Sequence, residues 1–340
     1  MSDTTGPTAA AGRRPLDVGL MLPIWTDGSH IPHWTNGQGE AGMRWSTTVA
    51  NARLAESVGF DSLWVPDHFA MDEQVEPPAV DGWPQDTDAA EPPTAFWEAW
   101  SVLAGLAVAT ARPKLGTLVT CAGYRNPAFL AKIADTVDEM SGGRVILGVG
   151  AGDHWGEHER YGLAWDQPVG RFEEALQIIA PLLREGRVDF EGRHHRARGA
   201  VLMPRGPRPA GPPILIGALG TGPRMLRLVA TYADLWNGWY VFEGTDPRDE
   251  ITLALERLDA ACELHGRDPA TLGRTIGVSV GLDGAPAHGG SLRGPASAIA
   301  DRLRELAELG IEQVQVVLAP SGRRGIEAFA EVLDRLDTGR

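Results

Sequence analysis

The sequence holds only two cysteines, Cys121 and Cys262, in 340 residues. Placed so far apart, they make neither a disulfide framework nor a zinc knuckle. No apolar stretch approaches the roughly 18–20 residues needed to cross a bilayer. Positive charge is scarce: 31 Lys and Arg stand against 45 Asp and Glu, a formal net charge of −14. Such a balance argues against a nucleic-acid surface, and any anion site must be built locally. Several sequence signatures are also missing. No order of Ser, His and Asp is persuasive for a serine hydrolase. No Gly-Lys-Ser/Thr follows a glycine-rich loop, so there is no Walker loop. Gly148-Val149-Gly150-Ala151-Gly152 is followed by Asp153, not by the glycine that a dinucleotide fingerprint requires.

What is present is a soluble globular composition, 43% hydrophobic and 22% charged. Met1–Pro15 is rich in Thr, Ala and Gly and is expected to be a disordered tail, with one domain over residues 16–338. Arg13-Arg14 resembles a twin-arginine signal, but the run Leu16–Pro23 is too short for a signal-peptide core, so a cytoplasmic location is expected.

The chain is organised around residues 114–153. Leu115–Thr120 and Arg144–Gly150 are short apolar runs without alternation, as in parallel strands buried on both faces. Between them Asn126 can cap a helix that Pro127 begins and Gly142-Gly143 ends, with Leu130, Ile133, Ala134 and Val137 on one face. This is a βαβ unit. The same alternation continues along the chain. Strands are predicted at Leu16–Leu22, Ser62–Val65, Ile214–Gly217, Ala233–Trp236, Thr275–Val280 and Gln313–Leu318. Helices are predicted at 45–58, 95–110, 169–183, 223–231, 247–265, 295–309 and 325–336. Eight strand–helix pairs close naturally into a (β/α)8 TIM barrel with insertions at the C-terminal strand ends. A doubly wound sheet is the alternative. Three stretches do not fit the alternation: a loop over Ile24–Arg44, an acidic Pro-rich lid or loop over Met71–Thr94, and a hairpin near Val188–His195.

Barrel chemistry lies at the C-terminal strand ends, which directs attention to four constellations. Asp67-His68 directly follows the second strand; an acid and an imidazole there could hold a ring cofactor and move a proton near neutral pH, or merely form a turn. Gly217-Ala218-Leu219-Gly220-Thr221-Gly222-Pro223 joins a strand to a helix, where glycines and free N–H groups suit a phosphate. His154-Trp155-Gly156-Glu157-His158 matches a zinc-peptidase pattern, but Gly156 weakens the helix that pattern needs. Asp67 and Asp153 come from different strands and could form a carboxylate pair. Eleven tryptophans supply flat apolar walls suited to a planar ligand, with Trp64 and Trp100 read as ordinary core.

In chain order these residues resemble a known family. L-D-V-G-L-M-L-P, G-F-D-S-L-W-V-P-D-H-F, Y-R-N-P-A-F-L-A-K-I-A-D-T-V-D-E-M-S-G-G-R-V-I-L-G-V-G-A-G and P-P-I-L-I-G are similar to stretches of the luciferase-like monooxygenase superfamily, within it the coenzyme F420-dependent oxidoreductases of actinobacteria. The resemblance covers roughly residues 16–335. It implies a deazaflavin or flavin in the barrel mouth, backed by a non-proline cis peptide in a bulge at about Leu118-Val119, beside Thr117. It implies that Asp67 and His68 are the cofactor-side acid and imidazole, with Asp67 orienting His68. It places Asp153 near the substrate as a second acid/base, and it gives the phosphate to Gly217, Gly220, Thr221 and Gly222. Sugar-phosphate dehydrogenases of this family carry an aromatic residue five positions after the Asp-His; here Asp72 stands there, so that substrate is not implied. The expectation is an F420-dependent oxidoreductase that exchanges hydride at the deazaflavin C5 with a small organic substrate, as a homodimer. The alternatives are an FMN-dependent monooxygenase using O2 and a partner reductase, a cofactor-free binding barrel, and a zinc hydrolase.

Overall fold

Eight short segments, most of them apolar and buried on both faces, become parallel strands: β1 (Asp17–Met21), β2 (Ser62–Val65), β3 (Lys114–Thr117), β4 (Val145–Gly150), β5 (Ile214–Gly217), β6 (Leu235–Tyr240), β7 (Gly273–Gly281) and β8 (Gln313–Ala319). The computed structural model describes residues 14–26, 44–71, 94–218, 222–242, 246–282 and 291–338. The strands are hydrogen-bonded in chain order, and pairing of β1 with β8 closes the sheet into the expected (β/α)8 barrel. Its outer layer is α1 (Trp45–Val58), α2 (Ala99–Ala109), α3 (Pro127–Ser141), α4 (Pro168–Glu185), α5 (Pro223–Tyr232), α6 (Arg248–Leu264), α7 (Ala296–Glu308) and α8 (Gly322–Thr338). Among the described residues no helix is long and apolar enough to cross a membrane.

Local chemistry sets the ends of these elements. The Asn126 side chain accepts from the Phe129 N–H at 3.1 Å, Pro127 opens α3, and Gly142 closes it at φ 68°. The barrel floor is filled by Trp64, whose indole N–H donates to Ser62 Oγ at 2.8 Å; Gln313 Nε2 donates to the same oxygen at 2.6 Å. Gly19 and Gly116 make room for that indole, since a Cβ on either would come within 2.5 Å of a Trp64 atom. One layer is polar: Asn237 Nδ2 donates to Thr275 Oγ1 and Gln315 Oε1, each at 2.8 Å.

Three expectations need adjusting. The third strand is not continuous. Gly116 pairs with Ile146 but Thr120 with Val149, so β3 carries one extra residue against β4. That bulge holds the cis peptide Leu118-Val119. The sixth strand begins at Leu235, not Ala233, because the Asp234 carboxylate accepts from the Ile214 N–H and from Arg184 in the turn before it. The strand continues through Asn237-Gly238 to Tyr240, past the expected end at Trp236. The hairpin pairs Arg187–Glu191 with Arg196–Val201; its turn is held by Glu174, which accepts from the backbone N–H groups of Arg193, His194 and His195. The expected tail lies outside the described residues apart from Arg14 and Pro15, and Arg14 is ion-paired with Asp337 and Asp61. Most of the loop over 24–44, the stretch 72–93 with Asp72, and Leu219, Gly220 and Thr221 also lie outside them.

Gly148 gives a test of the β3–β4 contact. A Cβ there would stand 1.8 Å from the Thr117 carbonyl oxygen, a backbone atom. Gly148→Ala is therefore expected to lower unfolding free energy by at least about 1–3 kcal/mol, read from the denaturant midpoint. A midpoint equal to the parent's would show that the bulge yields without cost.

Candidate active site

Pro66 ends β2 and turns the chain over the C-terminal rim, so Asp67 and His68 stand at the barrel mouth. The Asp67 side chain is fully buried. Arg125, from the segment after the bulge, grips both of its oxygens at 2.5 and 2.9 Å. The same guanidinium donates to Glu98 at 2.5 Å, and Glu98 also caps α2 through the N–H groups of Trp100 and Ser101. Burial pushes the Asp67 carboxyl up against the pull of Arg125, while the two carboxylates raise Arg125 above its ordinary value despite burial. With the guanidinium permanently charged, the pair is ionic.

The partner of His68 is a residue that the Asp67-His68 motif does not reveal. Glu157 Oε2 lies 2.8 Å from His68 Nδ1. Glu157 belongs to the short helix Trp155–Arg160 that follows β4, and its side chain is fully buried. Oε2 also accepts from Tyr124 Oη at 2.6 Å, and Oε1 accepts from the N–H groups of Phe69 and Ala70 at 2.5 and 2.8 Å. Four donors on one buried carboxylate favour its ionised form. Burial opposes that charge, but His68, Tyr124 and Phe69 lower Glu157 to about 2. Burial likewise disfavours the imidazolium, yet Glu157, then Asp153 and Asp67, raise His68 above the usual histidine range. The stabilisation from Glu157 is lost as pH falls through its lowered pKa, and that from His68 is lost as pH rises through its raised one, so the pair contributes most from about pH 4.5 to 6.5.

Glu157 contacts the imidazole directly, and the Asp67 carboxylate is committed to Arg125. Asp153 follows the G-A-G turn, is exposed, and acts on His68 through its charge. Gly152 holds that turn at φ +91°, and a Cβ on it would lie 2.6 Å from Cys121 Sγ. Cys121 in turn sits 3.5 Å from His158 Nε2, and His158 Nδ1 donates to the Ala164 carbonyl at 2.9 Å. Burial raises the Cys121 thiol to about 12 and lowers His158, so this is a neutral thiol–imidazole contact. Glu157 and His158 of the H-x-x-E-H pattern therefore serve two separate packing networks.

A wall of backbone suited to a planar ring lies beside this polar cluster. Thr117 Oγ1 donates to the Gly148 carbonyl at 2.6 Å, and Val119 projects between Gly150 and Gly217. A Cβ at either glycine would meet Val119 at 2.9 or 3.0 Å, so the ends of β3, β4 and β5 come together with little side chain between them. Across the barrel, on β7, Ser279 Oγ is buried with no hydrogen-bond partner among the described residues. Trp239 lies over Gly277 at the same rim. A flat backbone wall facing an unsatisfied hydroxyl and an indole fits a planar heteroaromatic group. For the phosphate loop, Gly217 ends β5, and Gly222-Pro223 begin α5. Trp64 and Trp100 are core, as read, and Trp25 and Trp236 are equally buried. Trp45 and Trp97, by contrast, are exposed and line an outer groove between α1 and α2.

Residues 25–288 match the sequence profile of luciferase-like monooxygenases. Over 231 residues the chain is 32% identical to the 5,10-methylenetetrahydromethanopterin reductase of Archaeoglobus fulgidus, covering 68% of this chain and 59% of that protein. Over 181 residues it is 38% identical to the phthiodiolone/phenolphthiodiolone dimycocerosates ketoreductase of Mycobacterium tuberculosis, covering 52% and 46%. The matches thus span less than two thirds of the length of these curated relatives. Among solved structures, an F420-dependent secondary alcohol dehydrogenase with an F420–acetone adduct superposes with a TM-score of 0.72 at 20% identity, over 94% of this chain and 99% of that one, a likeness of fold.

Proposed function

Because the chain belongs to the luciferase-like monooxygenase family, we propose that it is an F420-dependent oxidoreductase that moves a hydride between the cofactor and a small organic substrate at the barrel mouth. The observation that carries this reading is His68, partly buried and anchored by Glu157 at the end of β2, together with the backbone wall of Val119, Gly150 and Gly217. The relatives named as a reductase and a ketoreductase, and the F420-dependent structural neighbour, support the same chemistry.

When bound, the deazaflavin supplies hydride exchange at its C5. The chain supplies the rest. Thr117, Leu118 and Val119 back the ring, with Gly150 and Gly217 allowing close approach. Gly217 and Gly222, with Gly220 and Thr221 between them in sequence, would hold the phosphate, since a helix N-terminus favours an anion. His68 carries the proton that accompanies the hydride, poised as a donor by the carboxylates around it. Asp67, locked to Arg125, fixes the backbone from which His68 projects. Asp153, exposed at the rim, is a second acid/base on the substrate side.

Titration with each cofactor tests this reading. F420 fluorescence is expected to be quenched saturably on adding the protein, and FMN fluorescence under the same conditions is not. Tight FMN binding without an F420 response would overturn it.

A further inference from the structure

Glu157 has more contacts than a turn staple requires. One oxygen, Oε1, already secures the Phe69-Ala70 backbone, and the other is spent on His68 and Tyr124. We propose that Glu157 is the positioning residue of this site: it fixes the neutral imidazole of His68 with its proton on Nδ1, so that Nε2 is the nitrogen that takes up and returns the proton. This rests on the reading that His68 handles the proton of the reaction.

An ionised carboxylate can only accept, so a contact at 2.8 Å requires Nδ1 to donate. Glu157 is held by three donors besides His68, so it stays in place when the imidazole changes protonation state. The ring is also confined sideways. Phe96 lies 5.4 Å from it between centroids, and His154 meets it edge-on at 6.4 Å. Among the described residues, the charged or titratable groups around His68 are Glu157 and Tyr124, Asp153 and His154 from the segment after β4, and Asp67 with Arg125 behind it. Arg160, on the same short helix as Glu157, donates to the Ala70 carbonyl at 3.2 Å and closes that side. Within H-x-x-E-H, Glu157 reaches back to the β2 rim while His158 faces Cys121.

Glu157→Gln is the direct test. Its amide oxygen can keep both backbone N–H groups, while its NH2 replaces Oε2 and obliges His68 Nδ1 to accept. Imidazole nitrogen shifts, read by NMR on the cofactor-free protein and assigned with His68→Gln, are expected to show the proton on Nδ1 in the parent and on Nε2 in Glu157→Gln. The His68 titration should move down by about one pH unit or more, since a neighbouring charge is lost. With F420 bound, kcat should fall about tenfold or more while KM stays within about threefold. Tyr124→Phe, which leaves the carboxylate but removes a competing donor, should keep the proton on Nδ1 and move the titration up. An unchanged tautomer and titration in a folded Glu157→Gln protein would overturn the proposal. So would a parent His68 found with its proton on Nε2, even if Glu157→Gln fails to fold. A parent with the expected tautomer but no F420 turnover would instead sink the functional reading and leave the positioning role standing.

Discussion

His68→Ala is expected to retain F420 binding within about tenfold and to lose turnover by about 10²–10⁴-fold, the usual worth of a positioned general acid or base. The loss should be specific. Removing the imidazole takes one donor from Glu157 but leaves it the Phe69 and Ala70 N–H groups and the Tyr124 hydroxyl, so the buried charge stays satisfied. The side chain is 14% exposed, so the hole it leaves opens to the mouth, and added imidazole should restore part of the rate. The pH dependence has a definite sign. The carboxylates around His68 raise it above its ordinary value, so the parent's reaction in the direction that needs a donor should slow as pH rises through that raised value. His68→Ala should lose this limb. Turnover equal to the parent's, measured by absorbance of the cofactor in single-turnover mode, would remove His68 from the mechanism.

The barrel is legible in the sequence because its strands are unbroken apolar runs and its helices carry caps such as Asn126-Pro127 and stops such as Gly142. Errors fall where a side chain overrides local pattern. The sixth strand is expected to stop at Trp236, yet it runs on to Tyr240, and Asn237 bonds Thr275 and Gln315 inside the barrel. The position of His68 at the mouth is legible too, since it follows a strand directly. Its partner is not, because Glu157 is 89 residues away and the pairing exists only through barrel closure. The signal was present in H-x-x-E-H, but a metal pattern hides an acid that serves a histidine elsewhere. Arg125 is missed for a similar reason. In Y-R-N-P the cap Asn126 and the helix-opening Pro127 explain the motif locally, and nothing local shows that Arg125 reaches Asp67.

Arg125→Met is expected to lower unfolding free energy by about 3–5 kcal/mol at pH 7, because it leaves the fully buried Asp67 charge uncompensated. Asp67→Asn should cost less, since Arg125 keeps Glu98 at 2.5 Å as a second carboxylate partner. Asp67→Asn combined with Arg125→Met should recover much of the single Arg125→Met loss, as removing both charges removes the unpaired one. The loss should also depend on pH. Burial holds the Asp67 carboxyl above its ordinary 3.8 even with Arg125 present, and without Arg125 it rises further. A group raised in the folded state destabilises above its unfolded value and not below it, so the deficit of Arg125→Met should be full near neutrality and shrink as pH falls towards about 4. Denaturant midpoints at pH 7 and pH 4.5 for the four proteins check this. Equal deficits for Arg125→Met at the two pH values would show that the loss comes from packing of the arginine stem and not from the stranded charge.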